Sequence, residues 1–226
     1  MSLATVRHET ASRFQEVQTF LSAIKALEQD PNRQTVEMNI QKGLFLVLLY
    51  GAFEYAFTRT LSEVSALITN LRVEYCHINE LLYPLALDPE LTSITEVGRD
   101  RKWEKRAELF RKQLCADPVV LLEGAFLAQM DNAWAATVQK MFDIFGITQP
   151  ALYNVRVRQY IDEVVGKRNA VAHGRESAAT IGQSYTTGDL QKLLDEIATQ
   201  TRYVFSIFEG HILTKAFVRA SHQALY

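Results

Sequence analysis

Only two cysteines occur in this chain of 226 residues, and Cys76 and Cys115 have neither a CxxC partner nor a metal-ligand spacing. That excludes a disulfide-stapled scaffold, and reduced, buried thiols of a cytosolic protein are the simplest reading. Ten glycines and five prolines are too few for a many-turned β-sandwich or a low-complexity chain. Neither sign of charge dominates, with a formal net charge of −2. A polycation that coats nucleic acid non-specifically is thereby excluded, so any nucleic-acid site must be a local patch. The longest apolar run, Leu44 to Phe57, falls short of the roughly 20 residues of a membrane span and carries Glu54. It reads as a buried helix, and no membrane anchor is expected. The first residues lack the apolar core of a signal peptide. His8, His77, His211 and His222 have no ligand spacing with one another or with the cysteines, and Gly51, Gly124 and Gly146 form no phosphate loop. No metal and no cofactor is expected.

What is present is helical periodicity. Val6, Phe14, Val17, Leu21, Ile24 and Leu27 recur near helical spacing over residues 3–29, and Asp30-Pro31-Asn32 breaks the pattern. A second, long helix is expected over 35–70, apolar almost all round from Gly43 to Phe57 as befits a central helix. Residues 72–130 are more broken: Tyr83-Pro84 and Asp88-Pro89 mark turns, a short helix fits 99–114, and Val119 to Leu127 is a short strand or an extended crossing. We read this stretch as an irregular insertion. Helices follow over 132–145, stopped by Gly146, and from Pro150 to His173, with Gly174 in the position of a helix C′ glycine. A polar loop is expected over 175–187. The final helix starts near Gly188 with Leu190, Leu193, Leu194, Ile197, Val204, Ile207 and Phe208 on its apolar face, and a disordered or extended tail follows. No linker divides the chain, so residues 1–226 are read as one all-α antiparallel bundle.

The chemistry-bearing segment is Arg168-Asn169-Ala170-Val171-Ala172-His173-Gly174. An arginine grips phosphate oxygens with a fork that never loses its charge, and a histidine moves protons near neutral pH. Cleavage of RNA by its own 2′-hydroxyl needs a base, an acid and positive charge on the crowded phosphorane, and the nucleophile belongs to the substrate. Five residues along a helix rotate by about 140°, so Arg168 and His173 do not stack on one face. A two-fold dimer packing this helix end against its copy would surround one groove with two arginines and two histidines. The bland alternative is an exposed arginine and a helix-ending histidine favoured by the helix dipole.

Arg168 through His173 resembles the Rx4–6H signature of HEPN domains, including the polar residue after the arginine, here Asn169. The order of elements is similar too: a long central helix, a helix ending in the motif, a long closing helix. Two further stretches resemble the RiboL-PSP-associated branch, Leu48-Leu49-Tyr50-Gly51-Ala52-Phe53-Glu54-Tyr55 and Asp131-Asn132 through Met141-Phe142-Asp143-Ile144-Phe145-Gly146-Ile147. The resemblance implies a metal-independent endoribonuclease acting as a homodimer through the motif helix, often as a toxin with an antitoxin or in antiphage defence. It implies Arg168 and His173 as the catalytic pair and Asn169 as the accessory residue. Some HEPN proteins bind RNA or partner proteins without cleaving, which keeps a binding module open.

Glu54 lies among residues that read as buried, and a buried carboxylate needs a cation or several donors. It either orients Arg168 or His173, or pairs with Arg59 or another structural arginine. Arg101, Lys102, Lys105 and Arg106 surround Trp103 and would grip single-stranded RNA, or form a solvated face laced with ion pairs to Asp100, Glu104 and Glu108. Arg156 and Arg158 precede the motif and either extend a positive groove or solvate their helix.

Overall fold

A computed structural model describes residues 3–30, 35–121 and 132–226. Helix α1 (Ala4–Glu28) buries Val6, Thr10, Val17, Leu21 and Ile24 against α2 (Thr35–Asn70), which is the axis of the bundle. At 36 residues α2 is about 54 Å long. Length and composition alone would let α2 cross a membrane, but 56% of its most apolar window is buried inside the fold. It is a core helix whose neighbours are α1, α7 (Val157–Ala172), α8 (Ala178–Gly182) and α9 (Thr187–Leu213). The chain is 74% helical, with almost no strand among the described residues, an all-α bundle.

Among the described residues between α2 and α7 lie three short helices, α3 (Tyr83–Ala86), α4 (Asp88–Glu96) and α5 (Lys102–Gln113), and then α6 (Ala135–Ile144). Prolines 84 and 89 sit in the first turns of α3 and α4, where a missing N–H costs no hydrogen bond. Val119 crosses beside Val73, its N–H donating to the Val73 carbonyl at 2.7 Å. The Leu121 N–H donates to Thr69 Oγ1 at 3.0 Å, and the rest of the expected 119–127 crossing, residues 122–127 with Gly124, lies outside the described residues. Both α6 and α7 end in Schellman caps. In α7 the Gly174 N–H reaches the Val171 carbonyl at 3.1 Å and the Arg175 N–H reaches Ala170 at 2.9 Å, with Gly174 at φ +66°.

Four expectations are corrected. Helix α7 starts at Val157, not after Pro150. The buried Gln200 side chain donates to the Ala151 carbonyl (2.8 Å) and accepts from the Tyr153 N–H (3.1 Å), holding those residues in a non-helical path. The expected 175–187 loop contains α8, capped by Ser177 and pressed onto α2. Both glycines at that contact are needed: a Cβ on Gly182 would lie 1.8 Å from the Asn39 carbonyl oxygen, and one on Gly43 2.1 Å from that of Ala178. The tail is not disordered. Phe217 is fully buried, and the Arg219 N–H donates to the His77 carbonyl at 2.8 Å. Finally, Cys76 and Cys115 are half-buried and adjacent in space, the Cys76 N–H donating to the Cys115 carbonyl at 3.2 Å.

Candidate active site

The last turn of α7 carries the motif, and its two ionisable members differ in their surroundings. Arg168 is half-buried and Asn169 buried, whereas His173 is exposed at the C-cap. The Arg168 guanidinium turns inward: its Nη1 donates to Asn169 Oδ1 at 2.8 Å and to Asn132 Oδ1 at 3.5 Å. Its carbon also lies 4.5 Å from the centroid of the Tyr50 ring on α2, a cation–π distance. Among the described residues the His173 imidazole makes no hydrogen bond, and Arg168 and His173 do not bond each other.

Tyr50 organises the inner side. Its hydroxyl donates to Glu54 Oε1 at 2.6 Å, lies 3.2 Å from Asn132 Oδ1, and accepts from the Ala133 N–H at 3.4 Å. Burial and the hydrogen bond to Glu54 hold this phenol well above its ordinary range, against the smaller opposing pull of Arg168. A neutral O–H donor is therefore kept beneath the guanidinium at any working pH. Glu54 forms no ion pair with Arg59 among the described residues; it reaches Arg168 through Tyr50. Glu54 and Tyr50 are four apart on α2 and so share a face. Asn132 joins them from the segment leading into α6.

A cleft of about 490 Å³ runs along α7 beside Asn169, lined by Trp134, Asp162, Glu163, Lys167, Arg175 and Glu176 among others. Two of its carboxylates serve the fold: Asp162 Oδ1 accepts the Ala135 N–H at 3.0 Å and caps α6, and Glu163 accepts the Tyr185 hydroxyl at 2.6 Å. Lys167 and Arg175 are the cations that face it, and Lys167 stands 3.9 Å from Glu176.

The other expected residues are not gathered here. Arg156 and Arg158 are exposed at the opposite end of α7, about 15 Å or more from Arg168 by helix rise. On α5 and the 3-10 turn before it, Arg101 and Arg106 are exposed and Lys102 and Lys105 half-exposed. Arg106 stacks 4.9 Å from the centre of the Trp103 ring, and Lys105 pairs with Glu108 at 2.5 Å. Tyr50 and Asn132 went unnoticed as site residues, although both lie in the stretches that carried the family resemblance. No local pattern links residues 82 positions apart.

Residues 8–214 match the family model described as RiboL-PSP-HEPN. No curated protein and no solved structure matches the chain.

Proposed function

The chain belongs to the RiboL-PSP-HEPN family, and from that premise we propose that it is an endoribonuclease whose dimer-interface site uses Arg168 and His173 and needs no metal ion. The observation that carries this reading is the contrast between a guanidinium held by Asn169, Asn132 and Tyr50 and a neighbouring imidazole left free. Electrostatic stabilisation works best from a group that need not reorganise, whereas a proton carrier must be accessible and mobile. In the proposed reaction the 2′-oxygen bonds to phosphorus as His173 accepts its proton, and the bond to the 5′-oxygen breaks as that oxygen gains a proton from the symmetry-related histidine. Arg168 faces the charge gathering on the non-bridging oxygens, and Asn169 fixes the angle of its fork. The products are a 2′,3′-cyclic phosphate and a 5′-hydroxyl. Two copies are needed because one helix end aims Arg168 and His173 in different directions. RNA is the partner this chemistry implies, and a toxin or antiphage role with an antitoxin or defence-system protein is the cellular setting proposed.

Incubation of the purified protein with RNA in excess EDTA tests the reading. Cleavage that survives EDTA, yields cyclic-phosphate ends and vanishes in His173→Ala is expected; cleavage unchanged in His173→Ala removes the catalytic claim. A second reading is a non-cleaving helical module that binds RNA or a partner protein. It is favoured by how fully Arg168 is engaged within its own protomer. Under it, cells expressing the wild type and Arg168→Ala grow equally well, and RNA is retained but intact.

A further inference from the structure

Away from α7, the segment that follows α2 gathers three donors of different chemistry. Glu74, Cys76 and His77 place a carboxylate oxygen, a sulfur and a ring nitrogen within 4.8 Å of one another. Glu74 Oε2 is 3.6 Å from Cys76 Sγ and 3.7 Å from His77 Nδ1. Tetrahedral zinc, with bonds of about 2.0 Å to oxygen and nitrogen and 2.3 Å to sulfur, separates such donors by about 3.3–3.5 Å. The carboxylate oxygen thus stands a few tenths of an ångström from the required spacing to each of the other two donors, and the sulfur and ring nitrogen lie within 4.8 Å of each other.

We propose that Glu74, Cys76 and His77 form a zinc site, with Oε2, Sγ and Nδ1 as ligands and water in the fourth position. The set lies within four consecutive residues, unlike the separated ligand pairs of common zinc motifs, and corrects the expectation that no metal site is present. A 3-10 turn over Tyr75–His77 brings the three together, closed by the His77 N–H on the Glu74 carbonyl at 2.9 Å. Tyr75, buried between the ligands, anchors the turn to the core. The turn is held on two more sides, by the Cys76 N–H on the Cys115 carbonyl and the Arg219 N–H on the His77 carbonyl. Stacking by His222, with ring centroids 4.0 Å apart, steadies the imidazole. All three ligands are only partly buried, which leaves a path for the ion. A thiolate and an imidazole together favour zinc over magnesium or calcium.

Binding would release the Cys76 thiol proton to solvent. It would also take the Nδ1 lone pair from the Tyr226 hydroxyl, now 2.8 Å away, which keeps the Glu74 N–H as a donor at 3.1 Å. Tyr226→Phe should therefore bind at least as tightly as the wild type. The site does not touch Arg168 or His173, so its fate and that of the ribonuclease reading are independent.

The test uses the EDTA-stripped full chain and Co²⁺ as the optical probe for zinc. A thiolate-to-cobalt charge-transfer band should saturate at one equivalent and be displaced by Zn²⁺. Cys76→Ser should lose the band, and His77→Ala and Glu74→Gln should each weaken cobalt affinity by at least about tenfold. Cys115→Ser should keep the band, and far-UV circular dichroism confirms that each variant is folded. Absence of a saturating band in the wild type, a band undiminished in Cys76→Ser, or unchanged affinity in both His77→Ala and Glu74→Gln overturns the proposal.

Discussion

Replacing Tyr50 by phenylalanine removes one oxygen from the junction between α2, Asn132 and Arg168. Tyr50 is 1% exposed, so no bulk water can replace the lost hydroxyl. Its bond to Glu54 is to a carboxylate at 2.6 Å, a class worth about 1.5–3 kcal/mol net. The Ala133 N–H also loses its acceptor. The ring remains, so the cation–π contact with Arg168 survives the substitution and the loss isolates the polar part. A destabilisation of about 2–3 kcal/mol is expected, which lowers the melting temperature of a domain this size by roughly 4–12 °C. Urea unfolding measures it directly, and a double-mutant cycle with Glu54→Ala should show strong non-additivity, since either change breaks the same bond. If Tyr50→Phe costs less than about 0.5 kcal/mol, or if the two losses simply add, the network has been assigned energy it does not hold. Cleavage of RNA by Tyr50→Phe, compared at a temperature where both proteins are folded, then tells whether the same network sets the orientation of Arg168.

Gly182→Ala would gain at most about 1 kcal/mol of helix propensity, yet its methyl would sit 1.8 Å from a backbone oxygen of α2. A net loss of about 1–3 kcal/mol is expected on thermal denaturation, and an unchanged melting temperature would refute the close contact. Burial holds the His211 imidazole down to about 4, and its Nε2 has no partner among the described residues. The unfolded chain therefore binds a proton that the native state refuses between pH 6.5 and about 4. Up to about 3 kcal/mol of stability, intact above pH 6.5, is lost across that window as pH falls. Urea midpoints measured from pH 7.5 to 4.5 should show a shallower slope in His211→Gln, and equal slopes would exclude His211 as the cause. Arg168→Lys keeps the charge but neither the fork toward Asn169 and Asn132 nor the planar stack on Tyr50. RNA cleavage should fall at least about tenfold in single-turnover assays, and an undiminished rate would mean that only the charge matters.

The helices were legible in the residues because their causes are local. Val17, Leu21 and Ile24 repeat at helical spacing, Thr186 and Asp189 build the capping box of α9, and Gly174 and Gly146 permit the positive φ that ends α7 and α6. The residues on which the proposed chemistry rests, Arg168 and His173, are likewise local to one short segment. What remained hidden was decided by groups distant in the chain. Gln200 stops α7 from starting at Pro150, two facing glycines let α8 dock on α2, and the short pair Phe217-Val218 folds the tail back. Tyr50 and Asn132 meet Arg168 only because α2, α6 and α7 converge. Periodicity and caps record how a backbone satisfies itself over one or two turns. Which side chain satisfies a buried hydroxyl or guanidinium depends on the packing of whole helices, and only the tertiary structure decides it.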